Sequence, residues 1–251
     1  MFLGGCGPQR PQPDDKATLQ SGYRSLEAQQ YNEAIAAADA YLARVPHGSG
    51  SAEALYLKGR GYEGRLAHSQ SEAAGNLQSA RNAYIQALTL SSSPTLESSI
   101  HTSLGNVAYF QDDYPTALGQ WTVAYPRLRD SDVRAWVLYR IGICQQRMGS
   151  FDRADETFTN VQRTFPNTVP AQRSREHQGA RAFYVQLATY SSPGGADKAA
   201  AALRAQGVTP VRVMDRQGNQ QVRVGPVPTY MQALNLKGRF TSQYPDAIVI
   251  P

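Results

Sequence analysis

Residues 141–158 read IGICQQRMGSFDRADETF, and this stretch decides how the larger part of the chain folds. Gly142 and Ala154 lie 12 positions apart, and an aromatic residue, Phe151, stands three positions before the alanine. Small side chains at this spacing allow the backbones of two antiparallel helices to approach closely, and the aromatic ring fills the space beside their crossing. The stretch therefore predicts a helix hairpin.

Related copies occur three more times toward the N-terminus: two have the same glycine, aromatic residue and alanine, and the third has Gly59, Ala80, Tyr84 and Ala87. One copy differs, because Gly59 and Ala80 lie 21 positions apart where the others have 12. The interval from Gly59 to Gly105 is likewise 46 residues, whereas the two flanking intervals are 37. Both differences equal nine residues, which we assign to an insert in the polar stretch 68–75. The other two copies are Gly22 with Tyr31 and Ala34, and Gly105 with Tyr114 and Ala117.

Over residues 17–166 the four copies resemble the tetratricopeptide repeat family. The family pattern is a Leu-Gly pair, a turn aromatic, an alanine, a second aromatic, an alanine and a closing proline. The chain departs from it at Ser21 and Ala38 in the first copy, and at Arg129, where the closing proline of the third copy is expected. Each hairpin leaves a face that it cannot bury alone, so neighbouring hairpins stack. The resemblance implies an α-solenoid of four hairpins whose groove takes an unidentified protein or peptide partner.

After Pro166 the helical spacing stops, and residues 181–251 alternate between strand and helix patterns. The predicted strands are 183–190, 210–214, 221–225 and 247–250, and the predicted helices are 196–206 and 229–244. This β-α-β-β-α-β order predicts a small ferredoxin-like sheet with both helices on one face. The predicted fold is thus α plus α/β in two domains. We predict a tether at residues 1–16, and a linker or capping helix at residues 167–180.

Three segments of the tail resemble the sporulation-related repeat (SPOR) domain. FYVQLATY at 183–190 is similar to the family's opening Phe-Tyr-Val-Gln-Leu-Gly-Ser-Phe, and VRVGPV at 222–227 is similar to its Arg-Val-x-Val-Gly-Pro-Phe region. PDAIV at 245–249 is similar to the family's ending. The departures from the pattern are Ala188, Thr189, Tyr190 and Val227. The resemblance implies binding of septal peptidoglycan, in particular of glycan strands stripped of their stem peptides.

Alternation along the strands predicts which side chains lie on the open face of the sheet. Those expected to point toward the helices instead are Phe183, Val185, Leu187, Val222 and Val224. The open face then combines aromatic rings that stack on sugars, an amide for acetamido groups and guanidinium groups for carboxylates. The candidate glycan-binding residues are Gln186, Arg223, Tyr190, Arg212 and Tyr184, with Met214 beside Arg212. In the alternative interpretation, Gln186 is a solvated strand residue and Arg223 pairs with Asp215.

The segment Leu3-Gly4-Gly5-Cys6 resembles a bacterial lipobox, in which the cysteine is lipidated after cleavage before it. The Pro- and Gln-rich residues 7–15 would then form a tether. A secretory signal also requires a basic segment and an apolar stretch of about 7–15 residues, whereas only Met1 and Phe2 precede the box. Either the start codon lies further upstream or the match is a coincidence. We favour a truncated lipoprotein signal, because a wall-binding tail requires export.

The formal net charge of +5 lies entirely in the tail. Residues 1–16 and 17–179 each hold equal numbers of basic and acidic side chains, whereas residues 180–251 hold eight basic and three acidic ones. A neutral scaffold favours a protein partner, and a basic module favours an anionic polymer. No run of about 18 apolar residues occurs, so no membrane span is predicted. Two cysteines exclude a disulfide framework.

No catalytic or metal-binding motif is found, and no cofactor or catalytic residue is predicted. GRGYEG at 59–64 matches G-x-G-x-x-G, but it lies in a helical repeat without a preceding strand, which argues against dinucleotide binding. The four histidines are scattered along the chain. The acidic pairs Asp112-Asp113 and Asp155-Glu156 are expected to be solvated, at a hairpin turn and on a helix surface respectively.

These features together predict a non-catalytic adaptor of the periplasm or cell envelope, at the septum, with a membrane anchor only through lipid at Cys6. A first alternative is a periplasmic or outer-membrane assembly factor in which the repeats do the main work. A second is an RNA-binding protein, because RNA-recognition domains share the β-α-β-β-α-β topology. Residues 221–226 lack the aromatic residues that this family has on its third strand, so no nucleic-acid partner is expected.

Overall fold

Residues 13–48 and 50–251 are described by a computed structural model, which is helical up to residue 177 and forms a sheet after it. It divides into two compact units, one ending at Val137 and one running from Leu138 to Pro251. The first helix begins at Pro13, so residues 13–16, predicted to belong to a tether, are helical instead. Asp15 in this first turn accepts a hydrogen bond of 2.6 Å from Nε of Arg44.

The described residues form four helix hairpins. They are α1 (Pro13–Glu27) with α2 (Tyr31–Arg44), α3 (Ser51–Gly64) with α4 (Gln70–Leu90), α5 (Pro94–Phe110) with α6 (Tyr114–Ala124), and α7 (Ser131–Arg147) with α8 (Phe151–Thr164). A 3-10 turn, Tyr125–Arg127, follows α6, and a further helix, α9 (Val169–His177), follows α8. Asp113 caps α6 by accepting a hydrogen bond from the Thr116 N–H at 3.2 Å, which places this acid at the hairpin turn.

Each hairpin crosses at its predicted glycine. Gly59 faces Tyr84, Gly105 faces Trp121, and a Cβ added at Gly142 would lie 2.6 Å from a ring carbon of Phe158. The ring in each case belongs to the second aromatic position of the repeat pattern. In the first hairpin, where Ala38 takes that position, Gly22 faces Leu57 and Ala37 instead. The sequence G-x-G-x-x-G at 59–64 is explained in the same way, because Gly61 and Gly64 make room for Ile35 and Tyr31.

The nine-residue insert lengthens a helix and does not break the second hairpin. Helix α4 has 21 residues, against 14 in α2. Ser69 begins α4 by accepting a hydrogen bond from the Glu72 N–H at 3.1 Å. Arg65 and Asn76 then hold the preceding loop against the helix, since Nε of Arg65 donates to Oδ1 of Asn76 at 3.0 Å. The polar stretch 68–75 is therefore mostly helical.

The C-terminal sheet has the predicted order of elements. Its members are β1 (Phe183–Tyr190), α10 (Pro193–Ala205), β2 (Val211–Met214), β3 (Gln220–Val227), α11 (Tyr230–Gly238) and β4 (Ile248–Ile250). The strands are arranged β2-β3-β1-β4 with antiparallel neighbours, and the helices pack on one face. Thr229 caps α11 as expected, but this helix ends at Gly238 and not at residue 244. Beyond it, Phe240 turns into the core, where it is buried.

The core of the second unit includes the predicted inward-facing strand residues and also Phe151 of the last hairpin. The ring of Phe151 lies 5.7 Å from that of Phe183, which lies 5.8 Å from Tyr230. Arg147 is 4.2 Å above the Tyr230 ring. The last hairpin and the sheet thus share one apolar core.

Asp155 on α8 also binds the chain that enters the sheet. Its carboxylate accepts a hydrogen bond of 2.9 Å from the Gly179 N–H and one of 2.7 Å from Nη1 of Arg181. The prediction that Asp155 is only a solvated surface acid is therefore wrong. Helix α9 follows α8 along the chain and precedes β1. The ring of its His177 lies 5.9 Å from that of Phe158. Burial lowers the pKa of the His177 imidazole.

Gly105→Ala should lower the free energy of unfolding of the repeats by about 1–3 kcal/mol, because the added methyl group overlaps the Trp121 indole. Gly119→Ala is the matched control. An added Cβ at this exposed position in α6 meets nothing within 4 Å, and alanine should stabilise the helix by about 0.5–1 kcal/mol. Urea unfolding followed by tryptophan fluorescence measures both variants. A stabilising Gly105→Ala substitution would contradict the crossing geometry.

Phe151→Ala should destabilise the sheet as well as the last hairpin, by about 3 kcal/mol, because it removes a buried ring from their shared core. Amide hydrogen exchange of residues 183–187 in β1 should accelerate. Phe110→Ala is the control, since that ring is 60% exposed on α5. Unchanged exchange of β1 in the Phe151 variant would mean that the sheet folds independently of the hairpin.

Candidate functional site

The open face of the sheet brings three of the predicted site residues together. Gln186 at the centre of β1 lies directly opposite Arg223 on β3 and Ile248 on β4. Tyr184, two residues before Gln186, lies opposite Ile250. Residues opposite one another in antiparallel strands share a face, so amide, guanidinium, phenol and two aliphatic side chains form one surface.

The Arg223 guanidinium is oriented by its own strand. Its Nη2 donates to Oε1 of Gln221, and its Nε is buried without a hydrogen-bond partner in the part of the chain that the structure describes. Burial lowers the pKa of Arg223, while the Tyr184 phenol acts in the opposite direction. The guanidinium remains charged and retains donors for an anionic ligand.

The alternative pairing of Arg223 with Asp215 is wrong. The Asp215 carboxylate holds the hairpin turn between β2 and β3, accepting hydrogen bonds of 2.9 Å from the N–H groups of Gln217 and Asn219. A further bond of 3.1 Å comes from the Asn219 amide. These hydrogen bonds, led by the one from the Asn219 side chain, lower the pKa of Asp215.

Tyr190 does not lie on the open face as predicted. The register of β1 against β3 shifts between Gln186 and Ala188, so a β-bulge reverses the alternation for the last residues of the strand. Tyr190 consequently packs against the core on the helix side. Thr189 takes the open-face position, where its Oγ1 accepts a hydrogen bond of 3.2 Å from the Gln186 amide.

Arg212 and Met214 also lie on the other face from the one predicted. Arg212 lies opposite the buried Val222, and it pairs with Asp197 of α10 and with Oε1 of Gln220 at 3.0 Å. The open-face residues of β2 are instead Val211 and Val213, opposite Arg223 and Gln221. The prediction placed Arg212 and Met214 outward on β2, but in this edge strand the valines occupy the open face. The register of the 215–219 turn was the signal that could have corrected it.

A groove of about 460 Å³ opens beside the bulge. Gln186 and Thr189 form one wall, and the segment that leads into β4 forms the other, with Gln243, Asp246 and Ile248. Ile248 is 50% exposed. Sequence patterning did not indicate this groove, because it depends on the early end of α11 and on the turns that follow.

The repeats present a second candidate surface, where the first helices of neighbouring hairpins, α3 and α5, lie side by side. Glu63 links them: its carboxylate accepts a hydrogen bond of 2.5 Å from Tyr84 and one of 3.0 Å from Asn106. Nη1 of Arg60 donates to the Tyr56 hydroxyl at 3.1 Å. Tyrosine and arginine side chains of this kind are enriched in protein interfaces.

Cysteines and metal-binding groups offer no further site within the described ranges. Cys144 is buried, and burial raises the pKa of its thiol to about 12. No cluster of His, Cys, Asp and Glu that could hold a metal ion occurs among residues 13–48 and 50–251. In the same ranges, no helix has the length and hydropathy needed to cross a bilayer. The predicted lipidation site, Cys6, lies outside the described residues.

Comparisons with known proteins agree with both parts of this fold. Residues 179–251 match the family model of the SPOR domain. A crystal structure of MamA protein is 19% identical, with 66% of this chain and 84% of that chain covered at a TM-score of 0.50. TTC0263, a thermophilic TPR protein of Thermus thermophilus, is 18% identical, with 66% and 81% covered at a TM-score of 0.51. No curated protein sequence matches the chain.

The fold and these comparisons define a helical-repeat protein with a small α+β domain at its C-terminus. The repeats have the tetratricopeptide fold, and the C-terminal domain is a SPOR domain. The family matched by residues 179–251 is one of binding domains. A SPOR domain suggests peptidoglycan binding, and such domains occur in the bacterial cell envelope.

Tyr190→Ala should destabilise the SPOR domain by about 2 kcal/mol or more, because the Tyr190 ring packs against the apolar core between the sheet and its helices. Thr189→Ala is the matched control, since Thr189 is exposed and its loss should change stability by about 0.5 kcal/mol or less. Thermal unfolding monitored by circular dichroism compares the two. Equal effects would argue against the β-bulge.

Proposed function

We propose that this chain is a non-catalytic adaptor of the cell envelope, which binds peptide-stripped glycan strands on its sheet and a protein partner on its repeats. The observation that supports this most is the position of Arg223 beside Gln186 at the centre of the open face. A septal location and a lipid anchor at Cys6 are parts of the same proposal.

The chemistry of the wall polymer explains the preference for stripped strands. Stem peptides are attached through the lactyl carboxyl group, so a peptide-bearing sugar has a neutral amide at that position. Removal of the peptide exposes a carboxylate, which a guanidinium can bind through two parallel hydrogen bonds. Arg223, whose buried Nε has no partner within the described chain, supplies such a group.

Apolar side chains flank the polar centre of the sheet. Tyr184, Ile248 and Ile250 lie on the β4 side, and Val211 and Val213 lie on the β2 side. The flat apolar faces of pyranose rings pack against such surfaces. The Gln186 amide can both donate to and accept from an acetamido group. Together these groups can bind successive sugars of a strand that runs across the sheet.

The surface around Tyr56 and Arg60 is the proposed contact for the protein partner. Both side chains are at least partly exposed on α3, while their hydrogen bond and the Glu63–Asn106 bond hold them in place. Burial acts to lower the pKa of Arg60, but the neighbouring Tyr56 phenol raises it overall, so the guanidinium stays charged. The neutral total charge of residues 17–179 suits a partner that is recognised by local contacts.

Gln186→Ala combined with Arg223→Ala should lower the affinity of the full chain for peptide-stripped sacculi by about tenfold or more, because it removes a charge-assisted hydrogen-bond site. Sedimentation with stripped and with intact sacculi measures this. Arg212→Ala is the matched control, since it removes a guanidinium from the other face of the sheet. Equal losses in the two variants, or unchanged binding by the double variant, would contradict the site.

A further inference from the structure

The groove beside the β-bulge continues the open face of the SPOR sheet toward β4. Gln186 belongs to both surfaces, because it lines the groove and lies opposite Arg223. The volume of the groove, about 460 Å³, falls in the range of binding sites for small ligands. Polar groups of Thr189 and Gln243 and the exposed aliphatic side chain of Ile248 line it. A sugar bound there would be next to one bound at Arg223.

The groove also contains an acid, Asp246, for which residues 13–48 and 50–251 provide no ion-pair partner. Residues 180–251 hold three carboxylates, and two of them are engaged: Asp197 pairs with Arg212, and Asp215 holds its hairpin turn. Asp246 is exposed in the groove and forms no ion pair or side-chain hydrogen bond within the described ranges. Gln186 thus lies between two opposite charges, with Asp246 in the groove on one side and Arg223 on β3 on the other.

This asymmetry matches the chemistry of the wall glycan, in which N-acetylglucosamine alternates with N-acetylmuramic acid. Only the muramic unit carries a carboxylate once the peptides are removed. We propose that the groove takes the uncharged N-acetylglucosamine unit and that Asp246 excludes the muramic unit from it, which fixes the register of the strand. This inference rests on the proposed glycan binding. Asp246 would then determine specificity, while Arg223 supplies the attraction.

The register can be tested with two disaccharides that hold the same two sugars in opposite order. Because they have the same charge, bulk electrostatics cannot distinguish them. The full chain should bind one of them at least about fivefold more tightly, the effect of one like-charge contact at about 4 Å in water. Chemical-shift titration reports both affinities and shows whether the amides of Thr189 and Asp246 respond.

Asp246→Asn should bring the two affinities within about twofold of each other, because an amide no longer repels the carboxylate. Asp197→Asn, which removes an acid from the helix side, should keep the preference. Equal binding of both disaccharides by the unaltered chain, or an unchanged preference in the Asp246 variant, would overturn the inference. Failure of the unaltered chain to bind any stripped strand would instead overturn the proposed function.

Discussion

The contact of a glycine with an aromatic ring is the constraint on which the repeats depend. In three hairpins the ring of the second helix lies where a Cβ of the first helix would be, against Gly59, Gly105 and Gly142. A larger residue at any of these positions would have to displace a fully buried ring or separate the helices. The spacing of small and aromatic residues therefore fixes how the two helices of a hairpin cross. Hairpins built to one geometry can then stack.

The contact between the last hairpin and the sheet is made by the turn aromatic of the repeat pattern. The ring of Tyr31 in the first hairpin packs on Gly64 of the next one. Phe151 occupies the equivalent place in the last hairpin, but its neighbour is Phe183 of the sheet. The SPOR domain thus covers an apolar side chain that a further repeat would otherwise bury. This shared core holds β1, and with it Gln186, against the last hairpin.

Sequence reasoning succeeded where one pattern determines the outcome and failed where two strands must be aligned. The inward-facing residues of β1 and β3 and the cap at Thr229 follow from alternation and local hydrogen bonding. The bulge that moves Tyr190 inward does not, because a strand with one extra residue has the same composition as a regular one. For Arg212, the error arose because a short edge strand has valines on its open face. Register, and not residue type, decides which face a side chain occupies.

These corrections change how the basic charge of the tail should be understood. The excess of eight basic over three acidic residues suggests a general attraction to anionic polymers. On the sheet, however, Arg212 is paired on the helix side, and Arg223 is the guanidinium that the open face presents. Attraction spread over a surface is screened by salt within about 10 Å, whereas a partly buried guanidinium that meets a carboxylate directly is screened much less. Selectivity for a glycan strand would then come from the match between single charges and single sugars, with the net charge of the domain assisting only the encounter.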